Sequence, residues 1–153
     1  MDNAAEMSAV ELARQFFERL SRVTDPAGRR LDLLDSETVT ALGDYMHPEV
    51  EMHEDPRFPE AGTYRGVEEI GNYLTQFMES FDEFSFEAED FLELSDDRVL
   101  VPLHIRTRGK ESGATVDVHA GWIYAFRDGK VWRIDAFYDR NDAFAAAGIE
   151  ASG

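Results

Sequence analysis

Apolar residues recur along this chain first with a helical period and then with a strand period. Val10, Ala13, Phe17 and Leu20 line one helical face, with Phe16 beside them, and predict a helix over residues 8–22. Ser8 and Glu11 have capping-box spacing, in which each side chain can bond the other residue's free backbone N–H. Asp25-Pro26-Ala27-Gly28 breaks the helix, and a polar loop carrying Leu31, Leu33 and Leu34 runs on to Asp35. A second, short helix is expected from Ser36 to Met46, ended by His47-Pro48. Val50 to Asp55 has the look of a short strand stopped by Pro56, and Pro59, Gly62 and Gly66 mark an irregular loop around Tyr64. A third helix is expected from Val67 to Phe81, on the stripe Val67, Ile70, Leu74, Phe77, Met78 and Phe81.

The second half changes period to two. Phe84, Phe86, Ala88, Leu92 and Leu94 alternate with polar residues, as do Val99 to Ile105 and Val116 to Phe126, and a last strand is expected from Lys130 to Tyr138. A terminal helix over Arg140–Ala147 has Gly148 as its stop. Three helices, four long antiparallel strands and a terminal helix make an α+β layout, one domain over residues 8–149 with loose ends at 1–7 and 150–153. A sheet with one apolar face, covered by helices, encloses a space.

Alternation says which side chains face that space. Pairing apolar with apolar sets Ile105 against Val118 and His104 opposite His119, within cross-strand reach on the outer face. The turn at Asp128-Gly129 decides the last strand. A two-residue loop would pair Trp122 with Asp135 and turn that carboxylate inward; a three-residue loop with a glycine bulge would pair Trp122 with Ile134 and Tyr124 with Trp132. The second keeps one face apolar and is preferred, so Asp135 and Arg133 are expected outside. His104, His119, Ile123 and Phe137 then share an outer face suited to a second copy of the chain, and a homodimer is expected there.

Composition removes several function classes. The chain of 153 residues has no cysteine, which excludes disulfides and thiolate chemistry. Its net charge of −17 opposes nucleic acid and anionic lipid, and no Lys/Arg cluster offsets it. No apolar run is long enough to span a membrane and the N-terminus lacks a signal-peptide core, so a cytoplasmic location is expected. No HExxH or facial-triad spacing and no glycine-rich phosphate loop occurs, so neither a metal nor another cofactor is expected.

The segments HPEVEMHEDP, GTYRGVEEI, RVLVPLHIRTRGKESG and AFRDGKVWRIDAFYDRNDAFAAAGI, taken in order, resemble the SnoaL-like branch of the ketosteroid isomerase and nuclear transport factor 2 superfamily. The resemblance covers residues 8–149. It implies a cone-shaped curved sheet wrapped around the N-terminal helices, an open-ended pocket, and dimerisation through the outer sheet face. In the isomerase branch a Glu-Asp-Pro sequence carries the base, which here would be Asp55; strand parity from Val50 and Met52 instead turns Glu54 inward. The positions matching that branch's oxyanion tyrosine and aspartate hold Phe16 and Trp122, which argues against steroid isomerisation.

Asp90 interrupts an apolar set, so it either points inward as a reserve acid/base group or is flipped out by a bulge that brings Phe91 in. Phe16, His53, Trp122, Ile134 and Tyr138 are candidate ligand contacts, and Tyr64 could offer a hydroxyl at the mouth; plain core packing explains the aromatics equally. Two functions follow. One is an apolar-pocket protein that binds a small organic molecule, cyclic or open-chain, and moves a proton on it without a metal. The other is a non-catalytic binding or dimerisation module of the same fold.

Overall fold

The computed structural model describes residues 8–22, 43–55, 62–78 and 81–148. The two tails, the 25–35 loop, Pro56, Pro59 and most of the helix expected over 36–46 lie outside them, as do the side chains of Leu20, Leu74, Phe77, Met78, Phe84 and Phe86. Within these bounds the chain is α+β. Helix α1 (Ala9–Arg22) precedes β1 (Met46–His53) and β2 (Thr63–Arg65). Then come α2 (Val67–Met78), β3 (Phe81–Ala88), β4 (Leu92–Ser95), β5 (Arg98–Gly109), β6 (Thr115–Arg127), β7 (Lys130–Phe137) and α3 (Arg140–Ala147).

All seven strands form one open, curved sheet in the order β2-β1-β7-β6-β5-β3, with β4 also paired to β5. The sheet is mixed, not wholly antiparallel: β1 runs parallel to β7. Met46 is the first residue of β1 instead of the end of a helix, and His47-Pro48 falls in a register shift of that strand, where a residue without an N–H is tolerated. The helix expected to reach Phe81 is described as far as Met78, and Phe81 itself opens β3.

Helix α1 covers the inner sheet face with Ala9, Ala13, Phe16 and Phe17. Its start is capped as expected on one side: the Glu11 N–H donates to Ser8 Oγ at 3.2 Å. Phe16 and Phe17 pack against Tyr124, with centroids at 5.8 and 5.5 Å, and Phe17 meets Phe91 at 5.8 Å. Burying each such ring contributes about 1.5–3 kcal/mol. Phe91 reaches inward because the chain breaks from the sheet at residues 89–91; Asp90 is exposed there, and its carboxylate accepts the Phe91 N–H at 2.8 Å. The reserve acid/base residue is therefore on the surface.

On the opposite sheet face α3 packs its Ala143 against Leu100 and Ile123, with Phe137 and Phe144 alongside. Ile123 is only 2% exposed, so it and Phe137, expected in the outer face offered to a second copy, are roofed by α3. Asp139 caps α3 by accepting the Asn141 N–H at 2.9 Å, and Gly148 ends it with φ 76°. Arg140 ties the first turn to the sheet through the Ala120 and Leu103 carbonyls, at 3.2 and 3.1 Å, and pairs with Glu89.

The β6–β7 register differs from expectation in an instructive way. The Asp128-Gly129 turn is a two-residue loop with φ 55° and 76°, and Arg127 pairs with Lys130, the left-handed geometry of a type I′ turn. A bulge follows at once in β7, so Ala125 pairs with Arg133, Tyr124 with Ile134, and Trp122 with Ala136. The bulge sits at Trp132, not in the turn. It turns Trp132 to the outer face, under the Arg127 guanidinium at 4.2 Å, where the ring lines a groove of about 520 Å³ with Glu51 and Arg65. Parity is preserved, so Asp135 faces outward and pairs with Arg133 at 3.0 Å. His104 lies opposite His119, and the two rings stack at 5.1 Å.

Candidate functional site

Strand β1 ends at His53, one residue before Glu54. Beyond that point the alternation of a strand no longer applies, and both carboxylates fold into the interior. Glu54 is 5% exposed and Asp55 1%. Strand parity, which turns only Glu54 of the pair inward, is overruled for Asp55 by the strand's ending.

Their surroundings differ. Glu54 Oε1 accepts the Asp55 N–H at 2.9 Å. Its Oε2 accepts the Tyr73 hydroxyl, and the Tyr138 hydroxyl lies 3.5 Å away. Burial pushes the Glu54 carboxyl above its ordinary value; the hydrogen bonds from Tyr73 and Asp55 pull the other way, the Asp55 charge adds to the rise, and the Tyr138 bond opposes it. Burial also pushes the Tyr138 hydroxyl up, helped by the Glu54 charge and by Tyr73, so it stays protonated as a donor. Asp55 has a structural task. Its Oδ2 accepts the Tyr138 N–H at 3.0 Å, continuing the β1–β7 seam after backbone pairing stops. Replacing Asp55 by Ala should cost about 1–3 kcal/mol in chemical denaturation by stranding that N–H, and Asp55→Asn, which keeps an acceptor, should cost less. Equal stability of Ala variant and wild type would remove this role.

The sequence-derived ligand residues divide. Tyr138, Trp122, Ile134 and Tyr64 come together on the inner face. The Trp122 and Tyr138 rings meet edge to face at 5.9 Å. Ile134 is buried between its β6 partner Tyr124 and its β1 partner Met52. Tyr64, opposite Met52, stacks on Tyr73 with centroids 4.0 Å apart. Phe16 meets this group at Tyr124. His53 does not join it. It shares a register position with Asp135 on the outer face, where Nε2 meets Glu51 at 3.0 Å and Nδ1 meets Thr63 at 3.2 Å.

Sequence reasoning missed Tyr73. It sits three residues after Ile70 on α2, a helical spacing that puts it on the buried side. Among the described residues one buried side-chain polar atom has no hydrogen-bond partner, the Trp122 Nε1. Leaving such a donor unsatisfied costs about 1–3 kcal/mol. No three metal-ligating side chains cluster, and no helix is long and apolar enough to cross a membrane, among the described residues. The interior thus holds a proton-accepting carboxyl between two tyrosine hydroxyls, with an aromatic wall and one unused donor.

The sequence matches the family described as a SnoaL-like domain over residues 27–134. No curated protein sequence gives a significant match. An NTF2-like protein from Burkholderia thailandensis superposes with a TM-score of 0.70 at 18% identity, covering 93% of this chain and 98% of that one. TerC co-crystallised with polyporic acid gives 0.65 at 19% identity, over 91% and 96% of the two chains. A structure from Jannaschia sp. CCS1 assigned as a SnoaL-like polyketide cyclase gives 0.63 at 18% identity, over 92% and 94%. These likenesses show the fold, and the family match extends over most of the sequence. The chain belongs to the SnoaL-like domain family.

Proposed function

We propose that this protein binds a small, mainly apolar organic molecule at the inner face beside Glu54 and Tyr138, and that Glu54 moves a proton on it without a metal. The observation that carries this reading is the Glu54 carboxyl, buried, raised by desolvation and fixed by Tyr73. A carboxyl lifted toward working pH exchanges its proton as both acid and base. A filled core has no use for an ionisable group there, since burying one is costly. The relatives support the ligand class: TerC was crystallised with polyporic acid and the Jannaschia protein is assigned to polyketide cyclisation.

A thermal-shift screen of cyclic ketones and polyphenolic acids tests the proposal. Compounds that raise the melting temperature are then incubated with the protein in deuterated water. Deuterium entering a carbon position of a bound compound supports proton transfer. Binding without exchange in every compound leaves the non-catalytic binding module as the function, and absence of binding across the set rejects the site.

The homodimer belongs to the same proposal, narrowed by α3 to the part of the outer face around His104 and His119. Asp117 takes part there, with Oδ1 at 2.8 Å from His104 Nε2 and 3.3 Å from Arg106. Sedimentation at micromolar concentration should give twice the chain mass, and His119→Glu should halve it. A monomeric wild type removes the dimer.

A further inference from the structure

We infer that Tyr64 and Tyr73 are the positioning residues of Glu54: Tyr73 aims the carboxyl by donating to Oε2, and Tyr64 acts through Tyr73 by stacking on its ring. The inference rests on the proposed role of Glu54 and gives Tyr64 a task other than ligand contact. Helix α2 follows β2 directly, and the turn between them is tied down. The Gly66 N–H donates to the Val50 carbonyl at 2.8 Å, and the Arg65 N–H to Glu69 Oε1 at 3.1 Å. Tyr64, opposite Met52 of β1, therefore meets Tyr73 of α2 in a fixed place, with ring centroids 4.0 Å apart and planes inclined by 20°. Both residues are half-buried. Tyr64 covers one face of Tyr73 and restricts that ring to the direction in which its hydroxyl reaches Glu54.

Among the described residues the polar groups that bond Glu54 come from three segments. Asp55, next in the chain, gives its N–H to Oε1 at 2.9 Å; Tyr73 comes from α2; Tyr138 follows β7, with its hydroxyl 3.5 Å from Oε2. Burial, and to a lesser degree the Asp55 charge, favours the protonated carboxyl. The donors favour the ionised form, and Tyr73 is the strongest of them. A carboxyl held only by burial would keep its proton, whereas a base must give it up. The stacked pair thus keeps a buried carboxyl ionisable.

The test follows the Glu54 carboxyl carbon by nuclear magnetic resonance as pH is raised, its signal identified by its loss in Glu54→Gln. Tyr73→Phe should move the titration midpoint up by about one pH unit, the worth of a hydrogen bond to a charged group; a ring that only packed would leave the midpoint in place. Tyr64→Phe keeps the stacked ring and should titrate as wild type. Tyr64→Leu removes the stack and should move the midpoint in the same direction as Tyr73→Phe, by less; Tyr64→Met takes its place if that variant fails to fold. Added to Tyr73→Phe, the same Tyr64 substitution should move nothing further, the sign that Tyr64 acts through Tyr73. An unmoved midpoint in Tyr73→Phe overturns the inference. A Tyr64 effect that is absent in wild type, or that persists beside Tyr73→Phe, overturns the part of Tyr64. The titration uses no ligand, so failure of every screened compound to bind rejects the proposed function alone, and an unmoved midpoint rejects this inference alone.

Discussion

Glu54→Gln should abolish proton exchange on any compound that wild type processes, by roughly 100-fold or more, the usual worth of a positioned acid/base group. The substitution keeps the shape and leaves an amide that can still bond Tyr73 and the Asp55 N–H, so ligand binding should survive it. The same variant carries a second, independent signature in stability. Desolvation raises the Glu54 carboxyl in the folded protein, so the fold holds this proton more tightly than the unfolded chain does. The stability tied to that proton is fully present below the ordinary carboxylate value and is lost as pH rises through the raised one. Glutamine is neutral throughout and loses nothing. Melting temperatures of wild type and variant should therefore diverge as pH climbs through that window, with the variant higher. Undiminished exchange in Glu54→Gln would take the acid/base role away, and parallel melting curves would contradict the desolvated carboxyl. Asp90→Asn, on the surface, is the control and should match wild type in both assays.

Gly121→Val should be the most damaging substitution remote from the site. A Cβ built on Gly121 falls 2.7 Å from the Ala143 Cβ and 3.9 Å from the Arg140 backbone. The neighbour is the packed body of α3, so the clash cannot be relieved by swinging a flexible side chain. The helix must lift, which loosens its seat on Leu100 and Ile123. Overpacking of this kind costs about 2–3 kcal/mol, which for a chain of this size lowers the melting temperature by roughly 5–10 °C. An unchanged melting temperature would show that α3 is not held against the sheet as described.

What the sequence disclosed follows from where its alternation was clean. Strands β5 and β6 keep strict parity, so the Ile105–Val118 and His104–His119 pairings were legible. The Asp135 direction was legible too, although its pairing partner was not. Val131 and Trp132 are both apolar, and a pattern of that kind does not show that a bulge absorbs one of them. Two features of the site were hidden for related reasons. The end of β1 at His53 released Asp55 from the alternation that would have turned it outward. Tyr73 was passed over because a tyrosine on an amphipathic helix does not announce whether its hydroxyl has a buried partner; only the folded chain brings it to Glu54. Nor does α3 betray in its short, alanine-rich sequence that it covers Ile123 and Phe137.

The parallel pairing of β1 with β7 bears on the order in which the buried Glu54–Tyr138 pair assembles. Glu54 leaves the end of β1, Tyr138 follows the end of β7, and the two lie 84 positions apart in the chain. Contacts that close so long a loop are entropically the most expensive and tend to form late. The hairpins of β5, β6 and β7 join neighbours in sequence and can assemble first, as a growing chain presents them. The Glu54–Tyr138 pair has no such local rehearsal. It exists only once the first strand docks beside the last, so the protein can hold most of its sheet and still lack this pair.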